Sequence, residues 1–312
     1  MKVTIETKAR PCPGVERAIV LAEEVLRRGD VLYAAGELIH NKREIQRLME
    51  MGLRHITIDA FNDSSMQQDF IDAYFLMRTH GEPDDLIDVV RNSQMRIVDA
   101  TCSIVRHSQD LVDQHVREGF GIVIAGSKTH PEVRGLLTRA KGCGVIVSSK
   151  AEAEQQELDS RTLLLAQTTI DPELFTEIRR ILKLKQPELK IVDTTCRFLQ
   201  KRQRDLAALG SGYDVVIIVG GQNSSNCRLL HNTALDVNAR SYHIEHPDEV
   251  DLKWFTNNEK VAISGGASTP RWQLEEMKSF LNTHQNEENP KGLKNRKGGT
   301  FLWWKRKNHK TT

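Results

Sequence analysis

Three cysteines in this chain open the same short pattern, and a thiol that recurs in this way is a candidate for metal chemistry. Cys12, Cys102 and Cys196 each stand 28 residues before a polar residue. Between the members of each pair lie an amphipathic stretch, a glycine and an apolar strand-like run. The polar partners are His40, His130 and Ser224, and the apolar runs are Val31–Ala35, Gly121–Ala125 and Asp214–Val219. The repeat predicts three copies of one supersecondary unit.

Each copy continues with a second predicted strand that leads to another polar residue. These strands are Ala73–Met77 before His80, Thr162–Ala166 before Thr168, and Val261–Ser264 before Ser268. Strands that alternate with helices are typical of parallel α/β layers, and such layers bind ligands beyond the carboxyl ends of their strands. We therefore expect the six polar residues to surround one crevice.

The segments that follow the cysteines have helical periodicity. Gly29, Gly119 and Gly210 are the expected stops. Two of the cysteines end near-identical motifs, Asp99–Cys102 (DATC) and Asp193–Cys196 (DTTC). The Asp or Thr side chains of these motifs are the expected caps of the helices.

The cysteine count and spacing favour a metal site over disulfides. The five cysteines are an odd number spread over more than 200 positions, which is typical of a reducing compartment. A helix N-terminus stabilises a thiolate. Zinc sites usually show closer cysteine spacing, whereas an iron–sulfur cube can be enclosed by distant segments. With three ligands, one iron of the cube stays open. The alternative is that each cysteine is a small buried apolar residue, which three matching repeat positions disfavour. Cys143 and Cys227 lie outside the repeat.

The polar residues are of the types that bind anions. His40-Asn41, the turn around His80, and Ser224-Ser225-Asn226 place imidazoles, hydroxyls and amides beside glycines and helix starts. A lone histidine is more often a packing or surface residue, but this group on one predicted edge favours a ligand site.

A different chemistry is predicted for the segment around His130. Pro131 suits the first turn of a helix, so Glu132 would lie near both the anion and the metal. These conditions raise a carboxyl pKa and favour proton delivery. Thr168 would relay the proton or position Glu132. The alternative is an ordinary glutamate at a helix N-terminus.

Size and composition set limits on the class of protein. The 312 residues, 39% hydrophobic and 5% aromatic, suit two or three domains. The longest apolar runs are too short to cross a bilayer, and the N-terminus has no signal-peptide core, so we expect a cytoplasmic protein. Residues 291–312 hold eight basic and no acidic side chains, and the other 290 residues carry a formal charge of −6. The body of the chain is therefore not expected to bind nucleic acid.

These motifs together resemble the 4-hydroxy-3-methylbut-2-enyl diphosphate reductase family, also called IspH or LytB, over nearly all of residues 1–282. The resemblance is carried by the three cysteines and by the segments 99–102, 129–133, 167–169, 223–226 and 266–268. It implies a trefoil of three pseudo-threefold-related α/β domains around one 4Fe–4S cluster per subunit. It also implies reductive dehydroxylation of an allylic alcohol diphosphate to isopentenyl and dimethylallyl diphosphate, with electrons from a ferredoxin or flavodoxin.

The resemblance also implies residue roles. The cluster ligands would be Cys12, Cys102 and Cys196. Glu132 would donate the proton, with Thr168 beside the substrate hydroxyl. The diphosphate would be bound by His40, His80, His130, Ser224, Ser225, Asn226 and Ser268.

Domain boundaries follow from the repeat and the resemblance. The expected order is an N-terminal strand (1–12) that joins domain 3, domain 1 (13–97), domain 2 (98–192), domain 3 (193–282) and a basic, disordered tail (283–312). The tail includes Trp303-Trp304 followed by basic residues. It is expected to be a solvated charge run, or else a segment that binds RNA or an anionic membrane.

The chain departs from the family pattern at two places near the site. Pro11 and Pro13 flank the first cysteine, and Cys227 follows Asn226. Two other functions therefore stay open. One is a paralogue with the same cluster that acts on another phosphorylated alcohol, and the other is a non-catalytic iron–sulfur sensor. Glu132 and Thr168 favour the enzyme, because a sensor has no need of a proton relay.

Overall fold

The computed structural model describes residues 1–63 and 65–284. Within these ranges the chain forms twelve strands and eleven α-helices. The strands are β1 (Lys2–Ile5), β2 (Leu32–Ala34), β3 (Leu53–His55), β4 (Tyr74–Met77), β5 (Arg96–Asp99), β6 (Gly121–Ala125), β7 (Gly144–Val147), β8 (Thr162–Ala166), β9 (Lys190–Val192), β10 (Val215–Val219), β11 (Ser241–Ile244) and β12 (Lys260–Gly265). The helices are α1 (Pro13–Arg27), α2 (Lys42–Glu50), α3 (Gln67–Phe70), α4 (Asp84–Asn92), α5 (Ser103–Arg117), α6 (Pro131–Arg139), α7 (Lys150–Gln155), α8 (Pro172–Lys185), α9 (Arg197–Gly210), α10 (Ser225–Val237) and α11 (Arg271–His284).

The strands form three parallel four-stranded sheets with one shared topology. Their orders are β3-β2-β4-β5, β7-β6-β8-β9 and β11-β10-β12-β1. In each sheet the first strand of the unit (β2, β6 or β10) is central. The next strand along the chain (β3, β7 or β11) lies beside it at one edge of the sheet. The fourth position is filled by β5, β9 and, in the third sheet, β1 from the chain start, which pairs with β12. The predicted α/β class with three repeated parallel units is confirmed.

This topology explains why the cysteines converge. Each cysteine follows the fourth strand of one sheet and precedes the helix that leads to the first strand of the next unit. Cys12 follows β1, Cys102 follows β5, and Cys196 follows β9. All three therefore lie at connections between units, on the side where the parallel strands end.

The central strands of the sheets are buried on both faces, as parallel strands covered by helices should be, whereas edge strands such as β5 and β7 are partly exposed. Every residue of β10, Val215–Val219, has 0% exposure. Helices pack on both sides of the sheets and separate the apolar core into several clusters. A buried salt bridge also links α9 to the end of β1. Arg202 of α9 donates to both carboxylate oxygens of Glu6, which follows β1, at 2.5 and 2.9 Å.

Two of the three glycine stops have the predicted conformation. Gly29 and Gly119 follow the C-caps of α1 and α5 with φ values of +80° and +77°. Gly210 instead is the last residue of α9. A Cβ there would lie 2.7 Å from Cγ2 of Val237, so this glycine permits close packing of α9 against the end of α10.

Two details differ from the predicted boundaries. The expected division between 97 and 98 falls inside β5, whose four residues all pair with β4. Helix α11 continues through Thr283 and His284, where the tail was expected to begin. The rest of that predicted tail lies outside the described residues. Among the helices of the described ranges, none has the length and apolar character needed to span a membrane.

Candidate active site

A single cavity lies where the three units meet and contains nearly all of the predicted site residues. Its empty volume is about 680 Å³. The predicted residues in its lining are Cys12, His40, His80, Cys102, His130, Thr168, Cys196, Ser224, Ser225, Asn226 and Ser268. Glu132 lies directly behind this lining, bonded to Thr168.

The three thiols occupy equivalent places at helix starts. Cys12, Cys102 and Cys196 are themselves the N-cap residues of α1, α5 and α9. This corrects the expectation that an Asp or Thr side chain caps each helix. Asp99 and Asp193 instead accept from the backbone N–H two residues later, at 2.9 Å in both cases, and so shape the turn before the cysteine.

The thiols are close together, free of disulfides and incompletely shielded. A Cβ on Gly14 would lie 3.0 Å from Sγ of Cys102, so the first cysteine loop passes directly over the second cysteine. Burial raises the pKa of Cys12 to about 11, with smaller increases from the charges of Cys102 and Cys196. Burial likewise raises the pKa of Cys196. Three sulfur donors that converge in this way, two of them with burial opposing the free thiolate, suit a cationic metal group.

The three predicted histidines form one compact cluster. The ring centroids lie 4.5 Å apart for His40 and His80, 5.4 Å for His40 and His130, and 5.3 Å for His80 and His130. Burial is the main cause that lowers the pKa of His80 well below its ordinary value and that of His130 to about 4, and the charge of His40 lowers both further. The rings of His80 and His130 are therefore neutral near pH 7.

Several ring nitrogens in this cluster are buried and have no hydrogen-bond partner among the described residues. They are both ring nitrogens of His40, Nδ1 of His80 and Nε2 of His130. The hydrogen bond of His130 determines which ring nitrogen carries its proton. His130 is the N-cap of α6, and its Nδ1 accepts from the backbone N–H of Glu132 at 3.3 Å. Its proton must then reside on Nε2, which is left as a free donor.

The third unit contributes hydroxyls and an amide instead of imidazoles. Ser224 is the N-cap of α10 and accepts from the backbone N–H of Cys227 at 3.3 Å. Ser225 donates to Oγ1 of Thr169 at 3.1 Å, which links the second and third units. Both side-chain polar atoms of Asn226 are buried and unpartnered within the described ranges. The start of α10 therefore presents backbone N–H groups and free polar atoms to the cavity.

Glu132 is a buried carboxyl held by one residue. Its side chain is 1% exposed. Oε1 accepts from the backbone N–H of Thr168 and Oε2 accepts from the hydroxyl of Thr168, each at 2.7 Å. Burial raises the pKa of Glu132 to about 7, and the two bonds from Thr168 oppose this increase. A carboxyl with this pKa is protonated in a useful fraction of molecules near neutral pH.

Comparison with known proteins now identifies the family. The model of the LytB protein family matches residues 3–282. The chain belongs to the LytB family. A 4-hydroxy-3-methylbut-2-enyl diphosphate reductase from Aquifex aeolicus is 34% identical over 283 residues, which cover 89% of this chain and 95% of the relative. The enzyme of that name from Campylobacter hominis is 36% identical over 283 residues, 91% of this chain and 99% of the relative.

Two solved structures extend the likeness to three dimensions. The structure of (E)-4-hydroxy-3-methyl-but-2-enyl diphosphate reductase, described as the terminal enzyme of the non-mevalonate pathway, superimposes with a TM-score of 0.67 at 34% identity, over 91% of this chain and 100% of that chain. The Plasmodium falciparum E-1-hydroxy-2-methyl-but-2-enyl-4-diphosphate reductase gives a TM-score of 0.79 at 23% identity, over 91% and 88%. The second comparison supports the fold alone.

The unusual prolines of this LytB chain are accommodated by the first cysteine loop. Pro13 is the first residue of α1, a position where the missing N–H is not needed. The backbone N–H of Cys12 still donates to the carbonyl of Ala267 at 2.9 Å. The prolines therefore leave Cys12 bonded beside Ser268.

The two cysteines outside the repeat also have defined places. Cys227 is a fully buried residue of α10, its Sγ would lie 2.5 Å from a Cβ at Gly220, and it does not line the cavity. Cys143 is exposed, and its thiol donates to the carbonyl of Ala140 at 2.7 Å.

Sequence reasoning grouped Asn41 with the anion-binding residues and missed Gln273, whereas in the structure these two residues join the first and third units of this LytB site. Asn41 and Gln273, 2% and 1% exposed, exchange two hydrogen bonds of 2.9 Å. Asn41 also donates to the carbonyl of Ser268 at 2.9 Å, and Ser268 donates to the carbonyl of His40 at 3.1 Å. The position of Asn41 before a helix was a signal for a cap. Nothing in the sequence indicates that Gln273 is its partner.

Proposed function

We propose that this chain removes the hydroxyl group of (E)-4-hydroxy-3-methylbut-2-enyl diphosphate by two-electron reduction and forms isopentenyl and dimethylallyl diphosphate. The carrying observation is that one cavity of a LytB chain brings together three free thiols, a cluster of three histidines of which His80 and His130 are neutral near pH 7, and a buried carboxyl with a raised pKa. These groups meet the three needs of the reaction, which are an electron path, a site for the diphosphate and a source of protons.

We propose that Cys12, Cys102 and Cys196 hold one 4Fe–4S cluster. Three converging sulfur donors at helix N-termini fit such a group, and three ligands leave one iron free for a substrate oxygen. When bound, the cluster supplies electrons and Lewis-acid polarisation of the hydroxyl. Its electrons would come from a ferredoxin or flavodoxin.

The diphosphate would lie among the polar residues at the other end of the cavity. His40, His80, His130, Ser224, Ser225, Asn226 and Ser268 offer donors there. Hydrogen bonds to an ionised acceptor are stronger than neutral ones, so neutral imidazoles still bind phosphate effectively.

The spacing of the histidines also resembles a metal site, because their ligand atoms lie within 4.8 Å of one another. The hydrogen bond from Glu132 N–H to Nδ1 of His130 favours an anion instead. It keeps the proton on Nε2, the nitrogen that a cation would need deprotonated.

Glu132 is the proposed proton donor. Its raised pKa keeps the carboxyl partly protonated at neutral pH, and the hydroxyl of Thr168 lies between it and the cavity. Removal of the C–OH group then consumes two electrons and two protons and releases one water. Glu132 and Thr168 support the enzyme over a cluster sensor, which has no use for a buried acid.

The test is turnover without oxygen. Protein purified anaerobically should consume the diphosphate with dithionite-reduced methyl viologen and release both five-carbon diphosphates. Protein with a full complement of iron and sulfide that consumes none of it would refute the proposed substrate. Reduction of other phosphorylated alcohols in that case would favour the paralogue, and no turnover of any would favour the sensor. The cytoplasmic location stays a prediction.

A further inference from the structure

The helix that begins at the third cysteine has a row of positive charges on its exposed face. Arg197, Lys201 and Arg204 of α9 are all exposed and are spaced i, i+4 and i+7. Residues with this spacing share one side of a helix. We refer to these three residues as the basic face of α9. It starts one residue after Cys196 and extends about 10 Å along the axis.

The placement of these charges does not serve the helix itself. Cations are unfavourable near a helix N-terminus and favourable near its C-terminus. Yet α9 has no acidic residue in its first turn and no basic residue in its last. The contrast with α8 is direct, since α8 starts with a capping Asp171 and has Glu173 in its first turn.

The side chains of the basic face also contribute little to the packing of the described residues. The side chains of Arg197 and Arg204 form no hydrogen bond or ion pair with any residue in the ranges 1–63 and 65–284. None of the three residues lines the cavity. Arg202 on the same helix shows the opposite behaviour, because it is 4% exposed and bound to Glu6.

The basic face lies beside the segment that leads to the first cysteine. Lys8 is exposed and donates to Asp205 of α9 at 2.7 Å. The hydrogen bond from Lys8 lowers the pKa of Asp205, and the charges of Lys8, Lys201 and Arg202 add to this effect. Asp205, the acidic residue of α9, is thus already paired with Lys8. The face has net positive charge and adjoins the segments of two thiols.

We infer that the basic face of α9 is the docking surface for an acidic, low-potential electron-transfer protein. This inference rests on the proposed function, in which each R–OH takes up two electrons and two protons to give R–H and water. The electrons leave the reduced partner one at a time, and the partner is oxidised. A positive surface next to a cluster ligand would steer a negatively charged donor to the shortest path into the site.

The test compares two double charge reversals. Arg197→Glu with Lys201→Glu removes the basic face, and Arg179→Glu with Lys183→Glu makes the same change at the same spacing on α8, outside the cavity lining. Because Lys183 lies in the last turn of α8 and donates to the carbonyl of Leu189 at 2.9 Å, the α8 variant is expected to lose more stability than the α9 variant and serves as the stricter control for turnover and binding. Glutamate in the first half of α9 favours the helix, so a loss of folding is not the expected result. Iron content and melting temperature check this for both variants.

The measurements are turnover and binding with reduced ferredoxin and flavodoxin as probes, beside turnover with reduced methyl viologen. The α9 variant should lose about tenfold in kcat/KM for the protein donor at low salt, and the loss should shrink as salt is added. Its viologen-driven rate and its reduction potential should match those of the wild type. The α8 variant should match the wild type throughout.

Several results would overturn the inference. They are an equal loss with viologen, an equal loss in the α8 variant, or an unchanged donor Kd in the α9 variant. A shifted reduction potential would instead assign the charges to the cluster itself. Binding of the donor is measured by calorimetry and does not need turnover. If no protein turns over the substrate, the proposed substrate is refuted, and the donor Kd of the α9 variant alone then decides whether the basic face is the docking surface.

Discussion

Burial has the same effect on two groups of residues in the cavity whose ionised forms have opposite charge. These groups are the three thiols, which we call the thiol end, and the three histidines with their polar neighbours, which we call the histidine or polar end. At the thiol end, burial raises the pKa of Cys12 to about 11 and so opposes the thiolate. At the histidine end, burial lowers the pKa of His130 to about 4 and so opposes the imidazolium. The groups with a displaced pKa, Cys12 and Cys196 at one end and His80 and His130 at the other, are therefore neutral near pH 7. The comparison fits the proposal that charge enters this site with its ligands, which would be a cluster at one end and a diphosphate at the other.

The ends differ in their symmetry. The thiol end repeats the same residue type at the same place in all three units, because three cysteines cap three equivalent helices. The polar end does not repeat, since the first two units supply histidines and the third supplies Ser224, Ser225 and Asn226. A nearly symmetric inorganic group suits the first arrangement, and an elongated organic substrate suits the second.

Removal of one thiol should have the largest effect. Cys102→Ser should lower turnover by at least about a thousandfold, because cluster binding, the electron path and the open iron are lost together. Iron per chain should fall with activity. Cys143→Ser, at an exposed site outside the cavity, is the matched control and should keep both. A Cys102→Ser protein with wild-type iron would remove Cys102 from the ligand set.

Loss of the buried acid should be the next largest effect and should leave the thiol end intact. Glu132→Gln should lower kcat by about 10²–10⁴-fold, since the amide keeps the shape but gives up no proton. Iron content should equal that of the wild type. Full activity in this variant would show that the proton comes from another group.

Loss of one imidazole should affect substrate binding more than chemistry. His80→Phe keeps a ring of similar size without nitrogen, and should lower kcat/KM by roughly 10- to 150-fold, mainly through KM, because a hydrogen bond to a charged group contributes about 1.5–3 kcal/mol. His55→Phe, at an exposed position in β3, is the control. An unchanged KM in the His80 variant would exclude His80 from diphosphate binding.

The smallest predicted effect is a displaced pH profile. Glu132 must be protonated to act as the donor, so kcat should fall as pH rises above its pKa of about 7. The Thr168 hydroxyl donates to the carboxylate and thereby lowers this pKa. Thr168→Val should raise the pKa, so that the decline starts about one pH unit higher. Thr168→Ser should keep the original profile. A decline displaced to lower pH in the valine variant would contradict the assignment.

The repeat and the site could largely be predicted from the sequence, because the signals are local. Strands β6 and β8 have the predicted bounds, since each apolar run is limited by a glycine or by polar residues. Parallel strands then place polar residues that follow them at one edge, which is why the predicted residues share a cavity. His130 and Ser224, the polar partners in the second and third repeats, start the next helices as N-caps.

The connections between units could not be predicted in this way. Asn41 and Gln273 are separated by 232 positions, and their two hydrogen bonds depend on how α11 packs beside α2. The role of Gly210 was also hidden, because its close contact is with Val237 on another helix. Such features follow from packing between distant segments and have no periodic signal.

The most direct test of the account is the iron and acid-labile sulfide content of oxygen-free protein. The account predicts about four of each per chain, held by Cys12, Cys102 and Cys196. About one metal ion per chain without sulfide would mean that these thiols hold a single ion such as zinc, and it would contradict the central claim.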